Sequence, residues 1–222
     1  MGILGGVVGG GIGGAIGAII WAGIYYFTNY EAGYVAWGVG GLVGFGFAKG
    51  NDTPGAAAGV IASIIAVLAL LGGKVLIAQA IMIQEIPSQT EAIDGAIASL
   101  EDEEVVISWV ADDIIVDMEE DGEPVDWPAG IDLDNVYAES DYPKNVWKKA
   151  TTEWASMSSE HRKEYRSLVQ ERIRLNYEDY GEYRAEVRSY VFKESFGLLD
   201  IVFFLLAIGT AFKMAGDGLE EE

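Results

Sequence analysis

Read by its apolar and polar positions, the chain has a long apolar beginning, an acidic middle with helical periodicity and a short apolar return. No charged side chain precedes Glu31. A helix over 2–27, rising about 1.5 Å per residue, covers the roughly 30 Å hydrocarbon core of a bilayer. It ends in Trp21, Tyr25, Tyr26 and Tyr30, amphipathic aromatics that settle at headgroup level. The run lacks a basic start and is too long for a signal peptide, so it reads as a span.

A second uncharged run, 32–48, is just long enough for another span, and Gly50, Asp52, Thr53 and Pro54 then supply a turn and a helix start. From residue 55 the stretch AAAGVIASIIAVLALLGG leads to Lys74. The pattern predicts a third span over 55–74 whose helix projects past the membrane to about residue 83. A fourth is predicted over 196–214 around FFLLAIGTAF, with Asp200 one turn in, followed by an acidic tail, 215–222.

Residues 84–195 carry a different pattern. Thr90–Ala98 and Glu101–Met118 read as helices, the second placing Val106, Trp109, Val110, Ile114 and Met118 on one face. Two acidic loops, EEDGEPVDWPAG and IDLDNVYAESDYP, separate it from a short helix predicted over Lys144–Ser156. Ser158 or Ser159 can cap a last helix running from Glu160 to about Lys193, with Tyr165, Val169, Ile173, Tyr177, Tyr180, Val187, Tyr190 and Val191 as its stripe. The expected fold is therefore an all-α membrane protein of about four transmembrane helices, with an acidic, mainly helical extramembrane domain between helices three and four.

Charge sharpens this division. The formal net charge is -21, and the segment from Glu85 to Glu194 holds 28 of the 35 acidic residues against 11 basic ones. Trp109, Trp127, Trp147 and Trp154 still give that segment the apolar mass for a core, which a disordered acidic tail lacks. So negative a chain is not expected to bind nucleic acid, since that affinity comes from clustered Lys and Arg displacing counterions. Anionic headgroups are disfavoured for the same reason. There is no cysteine, which removes thiol chemistry and disulfides.

Gly5, Gly9, Gly13 and Gly17 recur every four residues in the first helix, and Gly40 with Gly44 repeats the spacing in the second. Such seams let helices in lipid approach closely and gain dispersion. They are expected to pack these helices on each other or on copies of the chain. Gly9, Gly11 and Gly14 also match a GxGxxG dinucleotide fingerprint, with Glu31 twenty residues past Gly11. No strand precedes them and no βαβ pattern follows, so the packing reading prevails and no cofactor is expected.

Other chemistry is sparse. The carboxylates Asp112, Asp113, Asp117, Glu119, Glu120, Asp121, Asp132, Asp134 and Asp141 invite a cation, but Tyr137 stands where an EF-hand loop starting at Asp132 needs glycine. They read as solvated surface and no metal is expected. His161 is the single histidine, at a helix start without a nucleophile motif, so no catalytic residue is assigned. Lys74 and Asp200 fall at the domain-facing ends of the third and fourth spans, where an interfacial ion pair would relieve the cost of charge near hydrocarbon.

These readings describe a non-enzymatic multi-pass protein of the cell membrane, a scaffold or accessory subunit. Its expected partners are the lipid bilayer and copies of itself or other membrane subunits, engaged through glycine-lined helices and a docking domain. An oligomeric channel or transporter component with an acidic vestibule is the alternative. Lys74, Arg184, Arg188 and Lys193 on the domain side against Lys49 and Lys213 on the other lean the domain toward the cytoplasm.

Overall fold

A computed structural model describes residues 2–133 and 135–218. Met1, Asp134 of the acidic clusters and 219–222 of the predicted tail lie outside the described residues. Among those described the secondary structure is helical and no strand occurs. In chain order the helices are α1 (Ile3–Thr28), α2 (Gly33–Gly50), α3 (Ala56–Glu85), α4 (Gln89–Ala98), α5 (Glu103–Glu120), α6 (Lys144–Ser156), α7 (Ser159–Asn176), α8 (Tyr180–Glu194) and α9 (Leu198–Asp217). Three of them, α1, α3 and α9, are long and apolar enough to cross a membrane.

The chain divides into two compact units. One takes in the chain up to Pro87 and again from Glu182; the other is Ser88–Gly181. These boundaries differ from the expected 84 and 195. Most of α8 belongs with the apolar helices, because Ala185 and Phe192 lie beside Val75 and Ala78 of α3.

In the first unit, α1, α2, α9 and α3 form a four-helix bundle in that cyclic order. Gly9 faces Gly46, Gly13 faces Leu42 and Gly17 faces Val39, so α1 and α2 run antiparallel. A Cβ built on Gly9 would stand 2.1 Å from the Gly46 carbonyl oxygen, and one on Gly50 would stand 2.1 Å from that of Gly5. Only glycine permits that approach. Gly40 meets Ala207 and Gly44 meets Ala211, which sets α2 parallel to α9. Gly14 against Ala69, and Gly73 against Trp21, set α1 parallel to α3. Both predicted glycine seams are thus filled from within the chain. Gly9, Gly11 and Gly14 all sit inside α1 and not at a strand-to-helix turn.

Burial along α1 is inverted relative to a helix of a water-soluble bundle. Gly6, Gly10, Gly13, Gly14, Gly17 and Ala18 of α1 are buried, while Leu4 is 78% exposed and Ile19 62%. In water this would cost roughly 1.5–3 kcal/mol for each exposed Leu or Ile relative to burial, whereas in hydrocarbon it costs nothing. Between α2 and α3, Asn51 closes the turn: its side-chain amide donates to the Thr53 carbonyl at 2.8 Å and its oxygen accepts from the Thr53 hydroxyl at 2.9 Å.

The second unit has a conventional core of Leu100, Val106, Val110, Ile114, Tyr142, Val146, Trp147, Trp154, Val169 and Ile173. Ser88 and Glu91 form a reciprocal capping box on α4, and Asp102 and Ser158 cap α5 and α7. The single long helix expected from Glu160 to Lys193 is broken between Asn176 and Tyr180. Asn176, Asp179 and Gly181 are weak helix formers, glycine costing about 1 kcal/mol relative to alanine, and Ile173 is the last residue of α7 that the core buries. Beyond the break Tyr183 and Tyr190 are exposed.

Candidate functional site

Lys74 sits on the inward face of α3, and its side chain is 0% exposed. A buried ammonium must spend its three N–H donors on acceptors, since desolvation would otherwise cost several kcal/mol. All three are spent. Lys74 Nζ donates to Asp200 Oδ2 at 3.0 Å, to Glu31 Oε1 and to the Ser195 carbonyl.

Each acceptor is delivered by a local chain feature. Asn29 ends α1 with φ 51°, a left-handed conformation that asparagine tolerates, and turns the chain so that Glu31 points back at the bundle. Ser195 follows α8, whose last turn leaves carbonyls free to accept. Asp200 lies in the first turn of α9, where a carboxylate meets the positive end of the helix dipole and accepts the Gly197 N–H at 2.7 Å.

Aromatic rings close the remaining directions. Nζ is 5.5 Å from the Trp21 ring centroid and 5.2 Å from that of Phe196, and Phe204 packs edge-on against both rings. Such cation–π contacts contribute about 1–2 kcal/mol each when desolvated. The Trp21 indole N–H is buried without a partner in the same place.

The cluster holds one ammonium and two carboxylates, with Glu31 25% and Asp200 13% exposed at their side chains. It ties the α1–α2 link, α3, the end of α8 and the start of α9 to one atom. An ammonium held by three acceptors has no lone pair free for nucleophilic attack.

Of the residues singled out in the sequence, Lys74 and Asp200 come together here, whereas Gly5, Gly9, Gly13 and Gly17 line the α1–α2 seam and Gly40 and Gly44 the α2–α9 seam. Glu31 and Trp21 were missed as members of the site. The available signal was that Glu31 is the lone charge before Lys49, on the link where the first helix ends, level with the C-terminal part of the parallel third helix.

Two carboxylates of the acidic clusters, Asp112 and Asp113, serve the second unit's own packing. Asp112 accepts the Tyr142 hydroxyl at 2.8 Å, while Asp113 accepts the Tyr165 hydroxyl at 2.6 Å and Arg172 Nη1 at 2.7 Å. Desolvation raises the Asp112 carboxyl pKa above the ordinary value, with the Tyr142 hydrogen bond opposing. Burial and the carboxylate neighbours push both phenols up as well. Asp141 moves the other way, held down by N–H bonds from Ala138 and Tyr137. Among the described residues no group of three metal-ligating side chains is assembled, and His161 is exposed.

No family model, no curated protein and no solved structure matches this chain.

Proposed function

We propose that the chain is a non-enzymatic, multi-pass scaffold or accessory subunit of the cell membrane: a four-span anchor closed on itself, presenting the unit Ser88–Gly181 as a docking module. The observation that carries this reading is the packing of α1, whose buried face is mostly glycine while its Leu and Ile side chains face outward. It extends to α2, the shortest of the four helices. α2 is wedged between the glycine face of α1 and Ala207 and Ala211 of α9, and its 18 residues rise about 27 Å, close to the hydrocarbon thickness.

The interior favours an anchor over a pore through one copy. Val39, Val43, Phe47, Ala62, Ala66, Leu70 and Ala211 fill it at 0–1% exposure. The buried ammonium is engaged by its own carboxylates, which suits a fixed clasp better than an ion relay. Arg184, Arg188 and Lys193 favour a cytoplasmic docking module.

The cysteine-free chain allows a direct test by single-cysteine labelling in sealed vesicles. Four spans place Asp52→Cys and Gly130→Cys on opposite sides, so an impermeant maleimide labels one from outside and the other only after permeabilisation. Labelling of both from the same side refutes the topology. Reconstituted vesicles are expected to show no selective ion flux; robust flux would refute the anchor reading.

A further inference from the structure

The docking module carries a groove of about 1230 Å³ whose floor is the buried Tyr142, Pro143 and Trp147. The Trp127 ring packs tilted against Tyr142 at 6.2 Å between centroids, and Tyr142 lies 5.4 Å from Trp147. Its rim bears both signs of charge: Lys144 and Lys148 from α6, and Asp126 and Glu139 from the preceding loops. All four are exposed, and none forms an ion pair among the described residues. Unpaired opposite charges around an apolar floor are half of a contact.

The other half is offered by the adjoining loop. Pro128 and Glu139 both line the groove and are the two ends of the loop that joins them. That loop holds two of the module's most exposed large side chains, Leu133 at 60% and Tyr137 at 69%. A groove with both signs of charge on its rim and exposed apolar side chains on the adjoining loop can pair with its own copy, as an isologous twofold contact requires.

We propose that the docking module pairs with a second copy of this chain, Leu133 and Tyr137 of each entering the groove of the other, with Lys144 and Lys148 facing the second copy's Asp126 and Glu139. Charge complementarity selects this occupant. From Ser88 to Pro143 the module has 18 acidic residues and no basic one, whereas its eight cations all lie between Lys144 and Arg174. A twofold axis brings the acidic part of one module to the basic part of the other. The parallel orientation of two copies in one bilayer is compatible with an axis along the membrane normal. This inference rests on the docking reading above and names its partner.

Two separately tagged full-length chains, one carrying Leu133→Cys and the other Thr151→Cys at the groove, are co-reconstituted and treated with a short bifunctional maleimide. The proposal expects cross-linking between the tags that survives tenfold lipid dilution. Yield should fall about tenfold with Lys144→Glu and Lys148→Glu, where rim pairs become repulsions, and recover when Asp126→Lys and Glu139→Lys are added. No cross-link between copies with native near-ultraviolet circular dichroism overturns it, as does a yield indifferent to charge reversal. Failure of the four-span reading beneath it would show separately in the labelling of Asp52→Cys and Gly130→Cys, which needs no association.

Discussion

Replacing Lys74 by methionine keeps most of the side-chain volume and removes the charge. The structure makes the consequence asymmetric. Lys74 is 0% exposed and bonded to Asp200 at 3.0 Å and to Glu31, so its removal leaves two carboxylates facing each other without a cation. At an effective dielectric near 20, one contact at 3.0 Å corresponds to about 5 kcal/mol of Coulomb attraction, partly offset by the desolvation that folding has already incurred. Breaking buried pairs of this kind typically costs about 3–5 kcal/mol, and Lys74→Met is expected in that range. Asp200→Asn alone should cost less, about 1–2 kcal/mol, since the amide oxygen still accepts from Gly197 and Glu31 still neutralises the ammonium. The triple variant Lys74→Met, Asp200→Asn, Glu31→Gln has no buried charge and should recover most of the loss, because a neutral replacement of a buried ion cluster is often no worse than the original. Reversible unfolding in mixed micelles, titrated with sodium dodecyl sulfate and followed by circular dichroism, would measure all three. A Lys74→Met loss below about 1 kcal/mol, or a triple variant less stable than Lys74→Met, would refute the clasp. So would Lys74→Met and Asp200→Asn losses that simply add in the double variant.

Gly13→Leu is expected to cost about 2–3 kcal/mol in the same assay, because its Cβ would stand 2.2 Å from the Leu42 carbonyl oxygen and separating α1 from α2 by about 1 Å forfeits a quarter to half of their dispersion. Gly11→Leu, with nothing within 4 Å of its Cβ, should stay within about 0.5 kcal/mol; equal losses would sink the seam argument. Tyr142→Phe strips the desolvated Asp112 of its hydroxyl donor and should cost about 1–3 kcal/mol at pH 7. That deficit should narrow in acid, where Asp112 protonates readily because burial has already raised its pKa; a deficit that widens in acid contradicts this. Asp141 is the opposite case. Its folded pKa lies below the ordinary 3.8, so its stabilisation is present above 3.8 and is lost as pH falls through the folded value. Asp141→Asn should therefore lower the thermal midpoint of the module at pH 7 by an amount that shrinks as the solution is acidified below 3.8, and a gap that stays constant on acidification would be the contrary result.

The sequence alone determined how polarity is distributed along the chain and which helices follow. Hydropathy runs and 3.6-residue periodicity are local properties, so the helices around 2–27, over Lys144–Ser156 and around FFLLAIGTAF could be read from residues that touch in sequence. The break at Asn176–Tyr180 was hidden because an aromatic stripe continues through it; only the place where the core stops burying that stripe reveals the end of α7. The glycine repeats announced close approach without saying to what. Tertiary structure assigned Gly9 to Gly46 and Gly40 to Ala207, since a smooth face accepts any smooth partner until connectivity selects one. The clasp divides the same way. Charge near hydrocarbon marked Lys74 and Asp200, but Glu31, 43 residues from Lys74, and the Ser195 carbonyl, 121 residues from it, joined only once α1 and α3 ran parallel and α9 returned beside them. An ammonium has three donors, and which acceptors fill them is a property of the space around it, which a linear pattern does not contain.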